Sequence, residues 1–373
     1  MGFLRLLLAA AVVIGHTAPI DWLPMAGAGM AVKLFFVVSG FYMGMILTEK
    51  YADQLSGRWL FYSNRFLRIY PLFWIVLILE VVSGFVLYTR WPVDGSWLAL
   101  QHEMAVRGQW STLALYNGDL AGLLGVEWFS LFSWSPDGGL TPHVAELGGD
   151  AVRGWRPLIM PHAWTLSCEL CFYAVAPWIV KWRTSMLVML VVVSVSVINT
   201  LHLWVPVARA ELLVDYAFPF QIGFFGLGLL GYRLMRAKAT WLSGWAGLLL
   251  CGALFLSIFL FQWLVSLSYR GGMTLVFVTA CLGVPALFRL TSKWRWDRLL
   301  GELSYPVYLV HILVIRWMNC VPVRLQFGER FYHSAWYSVS VMFLATLAAW
   351  LLVRFVDERI NRIRQSRAAA VVV

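Results

Sequence analysis

His16 sits near the end of the apolar run at residues 3–19, in Arg5-Leu-Leu-Leu-Ala-Ala-Ala-Val-Val-Ile-Gly-His16, where it and Arg5 are the ionisable side chains. An ionisable group inside a bilayer-spanning helix is costly and usually faces a protein cavity where it has a task. Eleven residues set the pair about 16 Å apart along a helix. Arg5 then falls at one membrane edge and His16 in the opposite half. Imidazole titrates near neutral pH, which makes His16 a candidate general base. The structural alternative is a histidine hydrogen-bonded to a neighbouring span.

Three further constellations could carry chemistry. In Tyr62-Ser-Asn-Arg65-Phe-Leu-Arg68-Ile-Tyr-Pro71 the arginines are three apart and project from one helical face. Two such guanidinium groups suit phosphate oxygens, each offering a bidentate fork. From spacing alone, ordinary positive-inside residues touching lipid phosphates are the better explanation. In Trp164-Thr-Leu-Ser-Cys-Glu169-Leu-Cys-Phe172-Tyr173-Ala-Val-Ala-Pro177, Glu169 lies inside an apolar helix and needs a partner. In Gly301-Glu-Leu-Ser304-Tyr305-Pro-Val-Tyr308-Leu-Val-His311, the residues Ser304, Tyr308 and His311 recur at helical spacing. A polar stripe of this kind either lines a cavity or holds helices together.

The elements that must position these groups follow from composition. The chain is 61% hydrophobic and 13% charged, against roughly 45–50% apolar and about 25% charged in soluble domains. The fold class is therefore an all-α polytopic membrane protein. Stretches of about 17–25 apolar residues, long enough to span, fall near 3–19, 29–48, 67–89, 164–180, 184–203, 213–232, 241–263, 271–290, 300–318 and 335–356. These are ten candidate spans. The first lacks a clear small-x-small cleavage site and is not read as a signal peptide.

With a cytoplasmic N-terminus, the cytoplasmic segments hold 19 of the 29 Lys and Arg residues. These are Arg5; Lys50, Arg58, Arg65 and Arg68; Lys181 and Arg183; Arg233, Arg236 and Lys238; Arg289, Lys293, Arg295 and Arg298; and Arg354, Arg359, Arg362, Arg364 and Arg367. That is the positive-inside pattern, with both termini cytoplasmic. The net charge of +10 is thus a topology signal and does not point to nucleic acid. Trp91, Trp164, Trp204 and Trp241 stand near span ends, as an aromatic belt would place them.

Residues 91–163 are expected to form an extracytoplasmic loop between the third and fourth spans. Within them 112–134 is fairly apolar but carries Asp119 and Glu127, so it reads as an interfacial or re-entrant element, or as an eleventh span. Residues 135–156 are rich in Gly, Pro and Asp and read as loop. Cys168 and Cys171 form a C-x-x-C with no second pair, so no metal site is expected; Cys251, Cys281 and Cys320 also fall in or beside spans. Residues 1–360 form a single transmembrane domain, and 361–373 a short basic cytoplasmic tail.

Taken in order, these pieces resemble the acyltransferase 3 family of integral-membrane acyltransferases, which modify cell-surface glycans. The resemblance runs nearly end to end. It rests on Arg5 and His16 in the first span, Phe35-Phe-Val-Val-Ser39-Gly40-Phe41 in the second, and the paired arginines of Arg65-Phe-Leu-Arg68-Ile-Tyr-Pro71. It extends to Trp164-Thr-Leu-Ser-Cys-Glu169 with Phe172-Tyr173 and Pro177, where Thr165 replaces a serine of the pattern. It ends on Ser304-Tyr305-Pro-Val-Tyr308-Leu-Val-His311. The chain departs from the family at its last span, where many members close with Glu-x-Pro and this one has Asp357-Glu358-Arg359-Ile360. No appended soluble esterase-like domain is expected.

The resemblance implies a membrane O-acyltransferase in a bacterial inner membrane. Acyl-CoA is the donor substrate, acetyl-CoA first and succinyl-CoA as the alternative, with no permanently bound cofactor. Its phosphates meet Arg65 and Arg68, with Arg5 and Arg58 adding charge. His16 deprotonates the hydroxyl of a glycan or lipid-linked sugar, in one step or through an acyl-enzyme. Ser39, Tyr305 and Tyr308 are candidate oxyanion donors, with His311 in the same late motif. Glu169 orients the imidazole as the acid of a triad does. The rival readings are a proton-coupled transporter or flippase, and a cytoplasm-facing acyltransferase for a small hydroxy or amino compound.

Overall fold

The computed structural model describes residues 1–20, 23, 25–51, 55–92, 95–142, 150–205, 207–237 and 240–372. Lys238 falls outside the described residues, as do the side chains of Trp241 and Arg367. In chain order the helices are α1 (Gly2–Gly15), α2 (Ala28–Glu49), α3 (Leu55–Arg90), α4 (Trp97–Val106), α5 (Trp110–Gly122), α6 (Trp164–Ile179), α7 (Thr184–Thr200), α8 (Val207–Tyr216) and α9 (Phe218–Arg236). They continue as α10 (Gly244–Phe259), α11 (Phe261–Leu267), α12 (Tyr269–Thr291), α13 (Arg295–Met318), α14 (Val321–Phe327), α15 (Glu329–Tyr332), α16 (Ala335–Leu352) and α17 (Glu358–Val372).

Among the described residues, five helices are long and apolar enough to cross a membrane: Ala28–Glu49, Gly57–Arg90, Tyr269–Thr291, Arg295–Met318 and Ala335–Arg364. Two bent pairs raise the number to seven. Ala210–Tyr216 and Phe218–Arg236 meet at 45°, and Gly244–Phe259 and Phe261–Leu267 at 74°. The apolar helices Gly2–Gly15 and Thr184–Thr200 are shorter. At 14 residues, α1 is about 21 Å long, short of the roughly 30 Å hydrocarbon core.

The helices group into two compact units. The first comprises Met1–Phe73, Ala176–Met189 and Phe224–Val373; the second comprises Trp74–Val175 and Leu190–Gly223.

In the first unit small residues set the helix crossings. A Cβ added at Gly2 would lie 1.5 Å from the Asp297 carbonyl oxygen, and one at Gly301 would lie 3.0 Å from the Gly2 Cα. So α1 and α13 touch backbone to backbone at this end. Fourteen residues further along α1, the His16 ring meets that of His311. The two helices therefore run parallel along their length. On α2, a Cβ at Gly40 would sit 2.0 Å from the Phe225 carbonyl oxygen, and one at Gly228 would sit 2.0 Å from that of Val37. Glycine lets two backbones approach where side-chain burial gives little drive, the usual device of membrane helices. Ser338 of α16 holds the far end of α1: its hydroxyl takes hydrogen bonds from the Thr17 hydroxyl at 2.8 Å and the Ala18 amide at 3.0 Å, and donates to the Ala18 carbonyl.

Sequence places residues 91–163 in a loop, but the described part of the segment is folded. It contains α4, whose N-terminus is capped by Ser96, then α5, then a 3-10 helix over Val126–Leu131. Strands β1 (Phe132–Ser135), β2 (Gly139–Pro142) and β3 (Val152–Arg153) come next in the order β2-β1-β3, antiparallel, with Ser133 opposite Thr141 and Arg153. Residues 112–134 are thus shared among a helix, a 3-10 turn and a strand. No continuous helix crosses them, because Gly122, Gly125 and the left-handed Leu123 break α5 from the 3-10 turn. Gln109 closes the segment on itself, accepting from the Trp134 indole at 2.7 Å and donating to the Pro136 carbonyl at 2.7 Å.

Candidate functional site

The first unit brings His16 and His311 together. Their ring centroids are 5.1 Å apart at 57°. His16 is exposed at the C-cap of α1, whereas His311 is fully buried. Nδ1 of His16 lies 2.8 Å from the Val12 carbonyl, and Nδ1 of His311 lies 2.6 Å from the Tyr308 carbonyl. A carbonyl oxygen can only accept, so each Nδ1 carries a proton, and in the neutral ring the lone pair is on Nε2. In the neutral tautomer the exposed His16 ring presents Nε2 as a base, while the Nε2 of His311 is buried.

Tyr308 extends the pair. Its ring lies 5.6 Å from that of His311 and meets Phe35 of α2 edge-on at 6.4 Å. Ser39 stands one turn beyond Phe35, on the α2 face that meets Tyr308. Its neighbour Gly40 makes the close crossing described above, so this stretch combines a polar residue with a packing residue. The Ser304 hydroxyl turns back to the Gly301 carbonyl at 2.8 Å. Ser304 is buried, and its hydroxyl serves its own helix.

A second cluster gathers the arginines. Arg68 donates to Asp357 at 2.9 Å, and its guanidinium lies 5.7 Å over the ring of Tyr305. The Tyr305 hydroxyl donates to the Ile69 carbonyl at 2.9 Å. The structure therefore places Tyr305 with the arginines, tying α13 to α3. Arg65 lies 5.9 Å over the Phe61 ring, and Arg58 lies 5.9 Å over that of Trp178. Nη1 of Arg5 would lie 3.8 Å from a Cβ added at Gly301 of α13. Tyr42 of α2 is within electrostatic reach of both Arg5 and Arg68. Along α13, Tyr305 and His311 are six residues apart, about 9 Å of helix rise.

Glu169 belongs to the second unit, where it accepts from the Tyr173 hydroxyl one turn on. The same helix carries a second polar face: the Ser167 hydroxyl donates to Glu127, and Cys171 lies 3.9 Å from the same carboxylate. Cys168 faces the Tyr216 carbonyl at 3.3 Å. The two cysteines of the C-x-x-C thus have different partners.

Several of these groups have roles that their sequence context does not suggest. Asp357 is a departure from a motif in sequence; in the structure it is buried and holds Arg68. Glu127 stands in sequence only as an obstacle to a span, and it is the buried acceptor of Ser167. Glu80, fully buried in α3, and Lys33, buried in α2, are further groups that the sequence motifs leave out. Their signal is nonetheless there, since each is a lone charge inside an apolar run.

A family model described as an acyltransferase domain, that of the acyltransferase 3 family, matches residues 1–354. No curated protein and no solved structure matches the chain. The matched segment takes in both imidazoles, the arginines of α3, the Trp164–Glu169 stretch and the Tyr305–His311 stretch. With its long apolar helices and a match over nearly its whole length, the chain belongs to the acyltransferase 3 family and is an integral membrane acyltransferase.

Proposed function

We propose that the protein transfers an acyl group, acetyl in the first instance, from acyl-CoA to a hydroxyl of a surface or periplasmic glycan. The observation that carries this reading is the imidazole pair at one end of two parallel helices, with a guanidinium cluster further along one of them. In this reading the ten apolar stretches cross a bacterial inner membrane and both termini are cytoplasmic. The arginine cluster then faces the cytoplasmic donor, and His16 faces the acceptor.

The chemistry is set by the atoms at hand. Nε2 of His16 takes the proton of the acceptor hydroxyl as its oxygen attacks the thioester carbonyl. The tetrahedral oxyanion that forms needs hydrogen-bond donors. In this reading Tyr308 fills that role, because its ring lies 5.6 Å from that of His311. Collapse forms the ester, breaks the C–S bond, and returns the proton to the departing thiolate of CoA. His311 supports the His16 ring from behind. Arg5, Arg58, Arg65 and Arg68 attract the donor's phosphates.

NMR of the surface polysaccharide tests the reading, in cells lacking the gene and in cells complemented with it. Ester signals that vanish on deletion and return on complementation support glycan acylation. Identical spectra in both strains overturn it. Arg65→Ala and Arg68→Ala are expected to raise the apparent KM for acetyl-CoA about tenfold each, the scale of one charge-assisted hydrogen bond. Unchanged donor KM values in membranes bearing either variant would sink the phosphate role.

A further inference from the structure

Gly44 lies one turn beyond Gly40 on α2, and there the close crossing of α2 and α9 borders a cavity of about 350 Å³. Thr48 of α2, Leu187 of α7, and Leu229, Tyr232, Arg233 and Arg236 of α9 line it, all within the first unit. The lining is of two kinds. Leu187 and Leu229 are buried and apolar. Around Leu187, however, Met186, Val188 and Met189 are exposed. In an integral membrane protein such side chains meet lipid, so α7 has hydrocarbon on one face and the cavity on another.

The polar lining centres on the two arginines in the last turn of α9. Arg233 donates to the Thr184 hydroxyl at 2.8 Å, to the Val180 carbonyl at 3.1 Å and to the Trp182 carbonyl. These bonds close the end of α6 and fix the guanidinium at the cavity, and all of them run to neutral oxygens. Arg236 is exposed and within electrostatic reach of Arg233 and Tyr232. Among the described residues neither arginine pairs with a carboxylate. The carboxylate beside the cavity is Glu49, which accepts from the Tyr232 hydroxyl at 3.2 Å and is followed by Lys50. Lys181 and Arg183 adjoin Val180 and Thr184 in the chain, and Arg289 donates to the Met235 carbonyl at 2.6 Å.

Two arginines beside an apolar wall suit a molecule with a phosphate and a hydrocarbon tail. A soluble phosphate compound would leave Leu187 and Leu229 without an apolar partner. Contact with bulk lipid accounts for the exposed Arg236 alone, but not for a recess walled by buried leucines. We propose that this cavity holds the headgroup of an anionic phospholipid, with its phosphate on Arg233 and Arg236 and its glycerol and first methylenes against Leu187 and Leu229. A lipid seated there touches α2, α7 and α9 together, and so stabilises the folded protein by binding it. The proposal rests on the chain being integral to a membrane and is independent of the acyl donor and acceptor.

Native mass spectrometry and thermal unfolding of the full-length protein in a neutral detergent test it, with dioctanoyl phosphatidylglycerol, dioctanoyl phosphatidylcholine and glycerol 3-phosphate as separate probes. Phosphatidylglycerol is expected to bind about tenfold or more tightly than either other probe and to raise the unfolding temperature. Arg236→Gln removes a charge from an exposed side chain and is expected to weaken phosphatidylglycerol about tenfold, while Arg236→Lys stays much closer to wild type. Ala237, exposed and also on the cavity lining, offers a second variant: Ala237→Phe keeps both arginines but fills the space, and should lose binding as well. Both positions are exposed, so the lipid-free unfolding temperature should not change. Wild-type affinity for phosphatidylglycerol in either Arg236→Gln or Ala237→Phe overturns the proposal. So does equal binding of phosphatidylglycerol and phosphatidylcholine, which would mean bulk lipid contact alone. Glycerol 3-phosphate binding as tightly as phosphatidylglycerol also overturns it, in favour of a soluble phosphate compound.

Discussion

His16→Ala is expected to reduce acyl transfer by about 10²–10⁴-fold, the range for loss of a positioned general base, with membrane abundance unchanged. The two halves of this expectation have separate grounds. Abundance holds because His16 is exposed and its ring hydrogen bond runs to its own helix, at Val12. The anchoring of α1 falls to Thr17 and Ala18 on Ser338 and to the Gly2–Gly301 approach. Activity falls because Nε2 of His16 is the exposed base of the pair. His311→Phe offers a contrast, since it keeps a ring beside His16 but loses the second imidazole. A smaller loss is expected there than in His16→Ala. Transfer measured on isolated membranes with labelled acetyl-CoA, against immunoblot abundance, decides the matter. A His16→Ala protein that accumulates and still transfers would remove the base from the mechanism.

Gly40→Ala is expected to damage the fold severely. The added methyl would have its carbon 2.0 Å from the Phe225 carbonyl oxygen and within 3 Å of two further backbone atoms. Backbone cannot rotate away as a flexible side chain can. Helices α2 and α9 would have to separate, and Gly228, packed against Val37 and Phe41, would lose its contact. Overpacking of a well-filled core costs about 1–3 kcal/mol, and a clash between two backbones should reach or pass the top of that range. The expected result is a sharp fall in detergent-extractable, monodisperse protein, with a lower unfolding temperature in the fraction recovered. A Gly40→Ala protein with wild-type yield and melting would refute the backbone-to-backbone crossing.

The elements are largely legible in the sequence, because hydropathy reports length and apolarity directly. Each of the ten apolar stretches overlaps a helix. Hydropathy does not report bends: the turns at residues 217 and 260 come from local backbone geometry, and an apolar window averages over them. It also passes over α4, whose mixed composition reads as loop, and it merges α5 with the 3-10 turn and strand that follow into one apolar stretch. The site is legible as parts. His16, Arg68 and His311 stand out as ionisable groups in or beside apolar runs, but their partners lie hundreds of residues away. Nothing local in Asp357 tells that it meets Arg68, or in Ser338 that it holds Ala18. Tyr305 shows the limit most clearly, since it shares a motif with Tyr308 and His311 yet its hydroxyl serves the α3 backbone.

Between α16 and α17 the chain makes a π-helical turn at Val353–Asp357, which acts on a helix as a one-residue insertion does. One residue turns everything beyond it by about 100°. The azimuth of α17 is therefore set at that turn and is decoupled from the face that α16 presents to α13. The family match stops within the turn, at residue 354. Gain or loss of a single residue at this turn would swing the polar face of α17 away from Arg68 while the membrane helices stay in phase.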